Sequence, residues 1–200
     1  MQQAAGAGQI DLYYLDEAGF APTLPTGYTW ARTGVRAVVR RQDKRNRRIN
    51  VLGALVKDGP DPHLVWTSMP GKIDAGVLLE FVCARIAGLP GGAAALAVPP
   101  PGWQRMRPGT IVLDNASAHV AHAFKDHRGE LAAIGVQLFY LPAYSPELNR
   151  IERLWRSVKY EDLPVRAYMS TDELKAAVDE AMARRAASLQ RSTPNLLKTA

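Results

Sequence analysis

The order of its apolar segments constrains the fold of this chain more than any other feature. Strand-like runs rich in aromatic and β-branched residues cover 9–16, 49–56 and 63–68, with turn residues between them. Beyond residue 70, helical and strand-like patterns alternate. We therefore expect an α/β fold with a mixed five-stranded sheet, an antiparallel meander first and parallel strands afterwards, flanked by helices.

The remaining elements follow from local signals. A further short strand is predicted at 35–39 and an exposed basic hairpin turn at 40–48, while 88–103 reads as a loop. Ser145-Pro146-Glu147 is typical of a capped helix start, and Ser170 to Glu173 of a capping box. The helix after this box has an apolar stripe that we expect to be buried, formed by Leu174, Val178, Ala181 and Met182. The later strands are expected at 110–113 and 136–141, and the helices at 73–86, 118–134, 146–160 and 170–187.

Length and composition limit the class of protein. With 200 residues the chain favours one domain, which we expect at 10–190 between a flexible lead-in at 1–9 and a tail at 191–200. The net charge of +6 favours a polyanionic partner. Cys83, the single cysteine, permits no intramolecular disulfide. Without a signal peptide or an apolar run of membrane-spanning length, we expect a cytoplasmic, nucleoid-associated protein with no membrane partner.

Three acids are candidates for catalysis and metal binding. Asp16 and Asp114 each close a predicted strand, where side chains can meet at one edge of a sheet, and Glu152 lies in a predicted helix. Taken singly, each has a more ordinary explanation, because such residues are usually turn, cap or solvated positions. Together they are a minimal ligand set for Mg²⁺, which prefers oxygen donors. Two Mg²⁺ ions bound close together can activate the cleavage of a phosphodiester.

Helical periodicity places Glu152 in relation to the core. An α-helix turns by about 100° per residue, which places three apolar residues on one side as a stripe that we expect to be buried. Glu152 lies at the border of this stripe, beside two basic residues. From there its carboxylate could reach over the sheet edge towards Asp16 and Asp114. The stripe is Ile151, Trp155 and Val158, and the cations are Arg156 and Lys159.

Longer sequence blocks around these acids resemble the DDE transposases of the mariner superfamily, especially their bacterial insertion-sequence branch. The blocks are Tyr13–Phe20, Gly27–Gly34, Ile111–His119 and Leu141–Trp155, with Lys159 one turn further on. The resemblance implies an RNase H-like fold and two Mg²⁺ ions, with Mn²⁺ as an alternative, held by Asp16, Asp114 and Glu152. Arg150 stands where the family usually has proline, which is harmless if the helix has already begun at Pro146.

The resemblance also implies roles for other residues in these blocks. The family pattern gives Asn115 a role in orienting water or phosphate beside the metals. His119 either donates a hydrogen bond behind the metal ligands, holds the scissile phosphate, or caps or packs at a helix start. Glu17 is a spare acid. A zinc site built from His119, His122 and His127 is disfavoured, because their spacing and the lone Cys83 fit no zinc template.

A run of basic residues is the candidate DNA-binding surface. Such a run is often only a solvated face, but its position one strand from Asp16 favours contact with DNA phosphates. Trp30, near its start, either stacks on a base or anchors the loop. The candidate DNA-binding residues are Arg32, Arg36, Arg40, Arg41, Lys44, Arg45, Arg47 and Arg48, with Arg156 and Lys159 from the helix.

Two functional hypotheses follow. The first is a transposase catalytic core that cleaves double-stranded DNA at the ends of an insertion sequence and transfers the strands to target DNA; pairing two ends would require at least a homodimer. The second is a DNA-binding or assembly fragment of a truncated or split transposase, because the N-terminal helix-turn-helix domains usual in the family are expected to be absent. A nuclease of the same fold but outside transposition is a third, weaker hypothesis.

Overall fold

The computed structural model describes residues 1–22, 31–36, 48–115, 122–163 and 168–191. In these ranges, five strands form one sheet in the order β3-β2-β1-β4-β5. β1, β2 and β3 are an antiparallel meander, whereas β4 runs parallel to β1 and β5 parallel to β4. The predicted mixed five-stranded sheet is confirmed. Its strands are β1 (Asp11–Phe20), β2 (Ile49–Val56), β3 (His63–Pro70), β4 (Gly109–Leu113) and β5 (Val136–Tyr140).

The central strand β1 is longer than its pattern predicts. We expected it to end at Asp16, but it continues to Phe20 because β2 pairs with it along residues 13–20. The parallel neighbour β4 accompanies β1 only as far as the pair Tyr14 and Val112. Asp16 therefore lies inside the central strand, just beyond the point where pairing with β4 stops.

Helices cover both faces of the sheet, which explains why β2 is an almost continuous apolar run. On the first face lie α2 (Ala75–Phe81), α3 (His122–Lys125) and α4 (Arg128–Ala133), with α2 continuing as a π-helical turn to Ala87. The carboxylate of Asp74 caps α2 by accepting a hydrogen bond from the Val77 amide at 3.0 Å.

The second face carries the elements that matter most for the candidate site. These are α5 (Ile151–Ser157), continued by a π-helical turn Val158–Asp162, and the long α6 (Thr171–Arg191). The predicted buried stripes are confirmed on both helices, at Ile151, Trp155 and Val158 on α5 and at Leu174, Val178, Ala181 and Met182 on α6. A short helix, α1 (Gln2–Gly6), lies within the expected lead-in and buries Ala5 against the same cluster.

The helix predicted to begin at Pro146 is wrong at its start. Pro146–Leu148 form a single 3₁₀ turn, after which Asn149 is extended with φ −87° and ψ 104°. Helix α5 begins at Ile151 with Arg150 as its N-cap, and the Ser145 side chain makes no capping hydrogen bond. Arg150 therefore stands at the helix start rather than inside a helix, so the reason for expecting it to be harmless does not hold.

Some other predicted elements differ or lie outside the described residues. From residue 122 onward, the helix predicted at 118–134 is divided into α3 and α4. Val35 and Arg36 are not in a strand, and the rest of the predicted 35–39 strand and the basic turn up to residue 47 lie outside the described residues. The predicted 88–103 loop contains one 3₁₀ turn, Gly92–Ala95. No helix among the described ranges is long and apolar enough to cross a bilayer.

Candidate active site

The sheet register brings two of the candidate acids to the same level. Tyr14 of β1 pairs with Val112 of β4, and Asp16 and Asp114 each lie two residues further along in the same direction. Because side chains alternate between the faces of a strand, Asp16 points to the face on which Tyr14 is buried, and the alternation of β4, continued one residue past its end, assigns Asp114 to the same face. That is the face covered by α5 and α6. Asp16 is buried, with 7% of its surface exposed, and Asp114 is half-buried.

The third acid comes from the helix packed on this face. Ile151, Trp155 and Val158 anchor α5 to the sheet, and Glu152, the second residue of the helix, is exposed on its flank. One turn below Trp155 lies Lys159, whose ammonium stands 5.5 Å from the centre of the Phe20 ring at the end of β1. The flank of α5 that carries Glu152 is thus the one that borders the end of β1.

Two side chains of the segment around Glu152 hold Asp16 in place. The indole N–H of Trp155 donates to Oδ2 of Asp16 at 3.1 Å, within a buried environment. The amide Nδ2 of Asn149 donates to the backbone carbonyl of Leu15 at 2.9 Å, and Asn149 is only 2% exposed. The backbone before Asp16 and its carboxylate are therefore both fixed by residues within a few positions of Glu152.

The pKa of Lys159 is influenced both by two of the candidate acids and by a basic residue, Arg48. Its pKa lies below the ordinary lysine value, chiefly because burial disfavours the charged form, with the Arg48 charge acting in the same direction. The negative charges of Glu152 and Asp16 act in the opposite direction. Both carboxylates therefore lie within electrostatic reach of one ammonium, which agrees with their lying on the same part of the surface.

The acids do not form a closed ligand set as they stand. In the described part of the chain, no three His, Cys, Asp or Glu side chains are grouped so that they could hold a metal ion. Their donor chemistry nevertheless suits a hard divalent cation, because all three offer carboxylate oxygens. Holding an ion between them would require movement of at least one carboxylate, and the exposed Glu152 has the most freedom to move.

Asn115 ties the ends of the two parallel strands together. Its Nδ2 donates to the carbonyl of Leu141 at 2.8 Å, while the amide of Leu141 donates to Leu113 at 2.9 Å. The Asn115 side chain thus extends the contact between β4 and β5 beyond the last residue of each strand. The role of Asn115 beside the metal ions stays a prediction. His119 lies outside the described residues, as does the side chain of His122.

The candidate DNA-binding residues are only partly described. Arg32 and Arg36 are both exposed; Arg32 begins a turn that is closed by a hydrogen bond from the Val35 amide to the Arg32 carbonyl, and Arg36 follows this turn. Arg48 is exposed, and its guanidinium lies against Gly19 of β1. Arg156 is exposed on the same helix as Glu152. The others, Arg40, Arg41, Lys44, Arg45 and Arg47, lie outside the described residues, as does Trp30.

Sequence reasoning missed three residues of this site. Trp155 was assigned to the buried stripe, but its polar N–H was given no partner. Asn149 and Gly53 were not singled out. The signals were present: a tryptophan or an asparagine in a core must find a hydrogen-bond partner, and a glycine within an apolar strand often marks a close approach.

Comparison with a family of known proteins covers most of the chain. The model of the family described as DDE superfamily endonuclease matches residues 11–175, a range that contains all three acids. No curated protein matches the chain.

Solved structures with the same fold include several of the Mos1 transposase. The paired-end complex with the left transposon end is 18% identical, with a TM-score of 0.59, and the match covers 94% of this chain and 52% of that one. The strand transfer complex is 17% identical, with a TM-score of 0.59 and coverage of 96% and 52%. The chain thus spans about half the length of these proteins. The predicted RNase H-like fold is confirmed, whereas the bacterial insertion-sequence branch stays a prediction.

Proposed function

The chain belongs to the DDE superfamily of endonucleases, and from this membership we propose that it is the catalytic core of a transposase that cuts DNA strands and joins the freed ends to new DNA. The observation that supports the proposal is the position of Asp16 and Asp114 at the same level of two neighbouring parallel strands, with the helix that carries Glu152 packed against Asp16, all within the range that matches the family. Mos1, which shares the fold, is described in complexes with transposon ends and after strand transfer.

We propose Asp16, Asp114 and Glu152 as the ligands of a divalent metal pair. Mg²⁺ binds few protein carboxylates and keeps coordination sites for water and phosphate, which suits three acids at the margin of an open surface. Mos1 complexes with Mn and with Mg share the fold at 17% identity, which supports Mg²⁺ or Mn²⁺ as the cofactor. The exposed flank of α5 gives Glu152 room to turn towards the two aspartates.

In hydrolysis, a water oxygen forms a bond to phosphorus while the bond to the 3′-oxygen breaks, and the leaving oxygen takes up a proton. In strand transfer, the freed 3′-hydroxyl attacks a target phosphodiester in the same way. A bound pair of divalent cations would activate the attacking oxygen and stabilise the leaving one. The protein contributes the Asp16 carboxylate, which is held by Trp155, and the basic side chains that orient the DNA backbone.

Basic side chains near the three acids form a surface to which the DNA backbone could bind. Lys159 and Arg48 lie beside Phe20 and Gly19 at the end of β1, and Arg156 is exposed on the same helix as Glu152. Phosphates attracted to them would pass next to the acids. We propose that these residues, with Arg32 and Arg36, contact double-stranded DNA, and that recognition of specific ends and dimerisation depend on the whole protein.

The decisive experiment is a cleavage assay with Mg²⁺ or Mn²⁺ on a duplex that carries an insertion-sequence end, chosen by searching the DNA around the gene for inverted repeats. Asp114→Asn should reduce nicking by roughly 100-fold or more, because an amide is a poor ligand and cannot offset the cation charge. Asp61→Asn is the matched control, since Asp61 is an exposed turn residue whose side chain is 73% accessible. Nicking that survives Asp114→Asn would refute the assignment. Intact DNA binding with no metal-dependent nicking by the unmodified protein would favour the DNA-binding fragment.

A further inference from the structure

We propose that Trp155 is a positioning residue for catalysis: its indole N–H fixes the orientation of the Asp16 carboxylate and so sets the affinity of the site for divalent metal. The inference rests on the proposed function, because it takes Asp16 to be a metal ligand. It adds a residue that touches neither metal nor DNA and acts through the ligand it holds.

The contact is a buried hydrogen bond to a charged acceptor. Trp155 is 2% exposed and Asp16 7%, and the indole nitrogen lies 3.1 Å from Oδ2. Hydrogen bonds to ionised carboxylates are about twice as strong as those between neutral groups. In a buried site, neither partner can exchange the bond for water without moving, so the bond restrains rotation of the carboxylate.

The indole itself is locked by the sheet below it. A Cβ atom added at Gly53 would lie 2.6 Å from Cη2 of Trp155, so the ring rests directly on the backbone of β2. Gly53 is the residue of β2 that pairs with Asp16 across the sheet. The Phe20 ring contacts the indole edge-on, with 6.4 Å between centroids. The absence of a side chain at Gly53 therefore lets the indole reach the carboxylate on the adjacent strand.

The same segment also fixes the backbone that precedes Asp16. Asn149, just ahead of α5, donates to the Leu15 carbonyl at 2.9 Å. Asn149 and Trp155 thus form hydrogen bonds with two consecutive residues of β1, Leu15 and Asp16. Glu152 lies between Asn149 and Trp155 in the sequence. Two contacts on the backbone and the side chain define the position of Asp16 relative to Glu152. Asp114 reaches the site on a different strand.

Loss of the indole N–H should therefore weaken metal binding. Hydrogen bonds behind metal ligands typically change metal affinity by about 10–100-fold when removed. A merely structural Trp155 would give a different result, because a loss of packing lowers stability without changing the affinity of the folded protein for an ion. Metal affinity measured on folded protein separates the two roles.

The test is Mn²⁺ binding to the full chain, measured by titration calorimetry and by the EPR signal of free Mn²⁺. Trp155→Phe keeps an aromatic ring but removes the donor, and it should raise the Kd for Mn²⁺ by roughly 10-fold or more. Trp66→Phe is the matched control. The Trp66 indole also donates to a carboxylate, at 3.3 Å, but its acceptor is Asp179 on α6, which is not one of the proposed metal ligands. This control should leave the Kd unchanged.

A second measurement covers the case in which Trp155→Phe does not fold. In the unmodified protein, the ¹H–¹⁵N signal of the Trp155 indole should shift on addition of Mg²⁺, while that of Trp66 should not. An unshifted Trp155 signal overturns the proposal, as does a folded Trp155→Phe variant that binds Mn²⁺ with unchanged affinity.

A third variant separates this proposal from the proposed function. If Asp16→Asn weakens Mn²⁺ binding but Trp155→Phe does not, only the positioning role of Trp155 fails. If Asp16→Asn binds Mn²⁺ as the unmodified protein does, Asp16 is not a ligand. In that case the assignment of the site fails, and the role of Trp155 fails with it.

Discussion

Gly53 lies directly beneath the packed ring of Trp155, so an added side chain at this residue would displace the indole. Its missing side chain admits the Trp155 ring, and an alanine Cβ would also come within 3.3 Å of Cδ1 of Ile151. The indole rests on backbone, which cannot yield as the tip of a flexible side chain would. Its position is therefore sensitive to a single methyl group.

Gly53→Ala should lower the free energy of unfolding by about 1–3 kcal/mol, the usual cost of overpacking a core. Displacement of the indole should also change the near-ultraviolet circular dichroism of the folded protein. The measurements are urea unfolding and circular dichroism. Gly129→Ala is the control, because a Cβ at this exposed helical position meets nothing within 4 Å and should be neutral or slightly stabilising. Equal stability of the two variants would contradict the packing described here.

At the level of single residues, the sequence could single out the three acids as candidates but could not show what holds them. Asp16, Asp114 and Glu152 stand out because each lies in a block with a recognisable pattern. The hydrogen bond between Trp155 and Asp16 joins residues 139 positions apart in the chain, so no local pattern encodes it. The family blocks could suggest that Trp155 and Asn149 belong to the site, but only the packing of α5 on β1 reveals what they touch.

At the level of elements, the two predicted helix starts differ in whether the serine acts as a cap. At the start of α6, the Ser170 hydroxyl accepts from the Glu173 amide at 3.0 Å, and the Glu173 carboxylate accepts from the Met169 amide at 2.8 Å. At Ser145, the hydroxyl instead donates to the Ala143 carbonyl at 3.4 Å, and no capping bond forms.

Ser170→Ala should therefore lower the free energy of unfolding by about 1 kcal/mol, the usual value of an N-cap. Ser145→Ala should change it by less than about 0.5 kcal/mol, as for most surface substitutions. Thermal and urea unfolding of the two variants side by side measure the difference. A larger loss at Ser145 than at Ser170 would mean that the cap assignment is reversed.

The elements show where local signals suffice and where the fold overrides them. Capping-box chemistry and the apolar stripe were enough to predict α6. The break at Asn149 was not predictable, because Pro146 and Glu147 are good helix-start residues and the competing contact is distant. The Asn149 side chain bonds to β1, which holds its backbone extended and delays the helix to Ile151. Likewise, β1 passes Asp16 because β2 provides a partner as far as Phe20.

At the level of the whole molecule, the net charge of +6 and the cations beside the acids predict binding to DNA that depends strongly on salt. Arg156→Ala should reduce the slope of log K against log salt concentration by about 0.9 if one phosphate contact is lost. Filter binding or fluorescence anisotropy over a salt series provides the slope. Arg184→Ala is the control, because Arg184 lies on α6 and pairs with Glu180 at 2.7 Å. An equal change for both variants would mean that the binding reflects total charge and not this surface.

Pairing between β1 and β4 ends two residues before the acids, so the candidate site lies where these two strands are no longer paired. On one side, hydrogen bonds from Asn149 and Trp155 connect the segment bearing Glu152 to β1 at Leu15 and Asp16; on the other, Asp114 follows β4, whose end is connected to β5 by the Asn115 side chain. The distance from Asp114 to the other two acids therefore depends on the spacing of β1 and β4 beyond their last pair, and a wider spacing there would take Asp114 away from Asp16 and from the helix bearing Glu152 together.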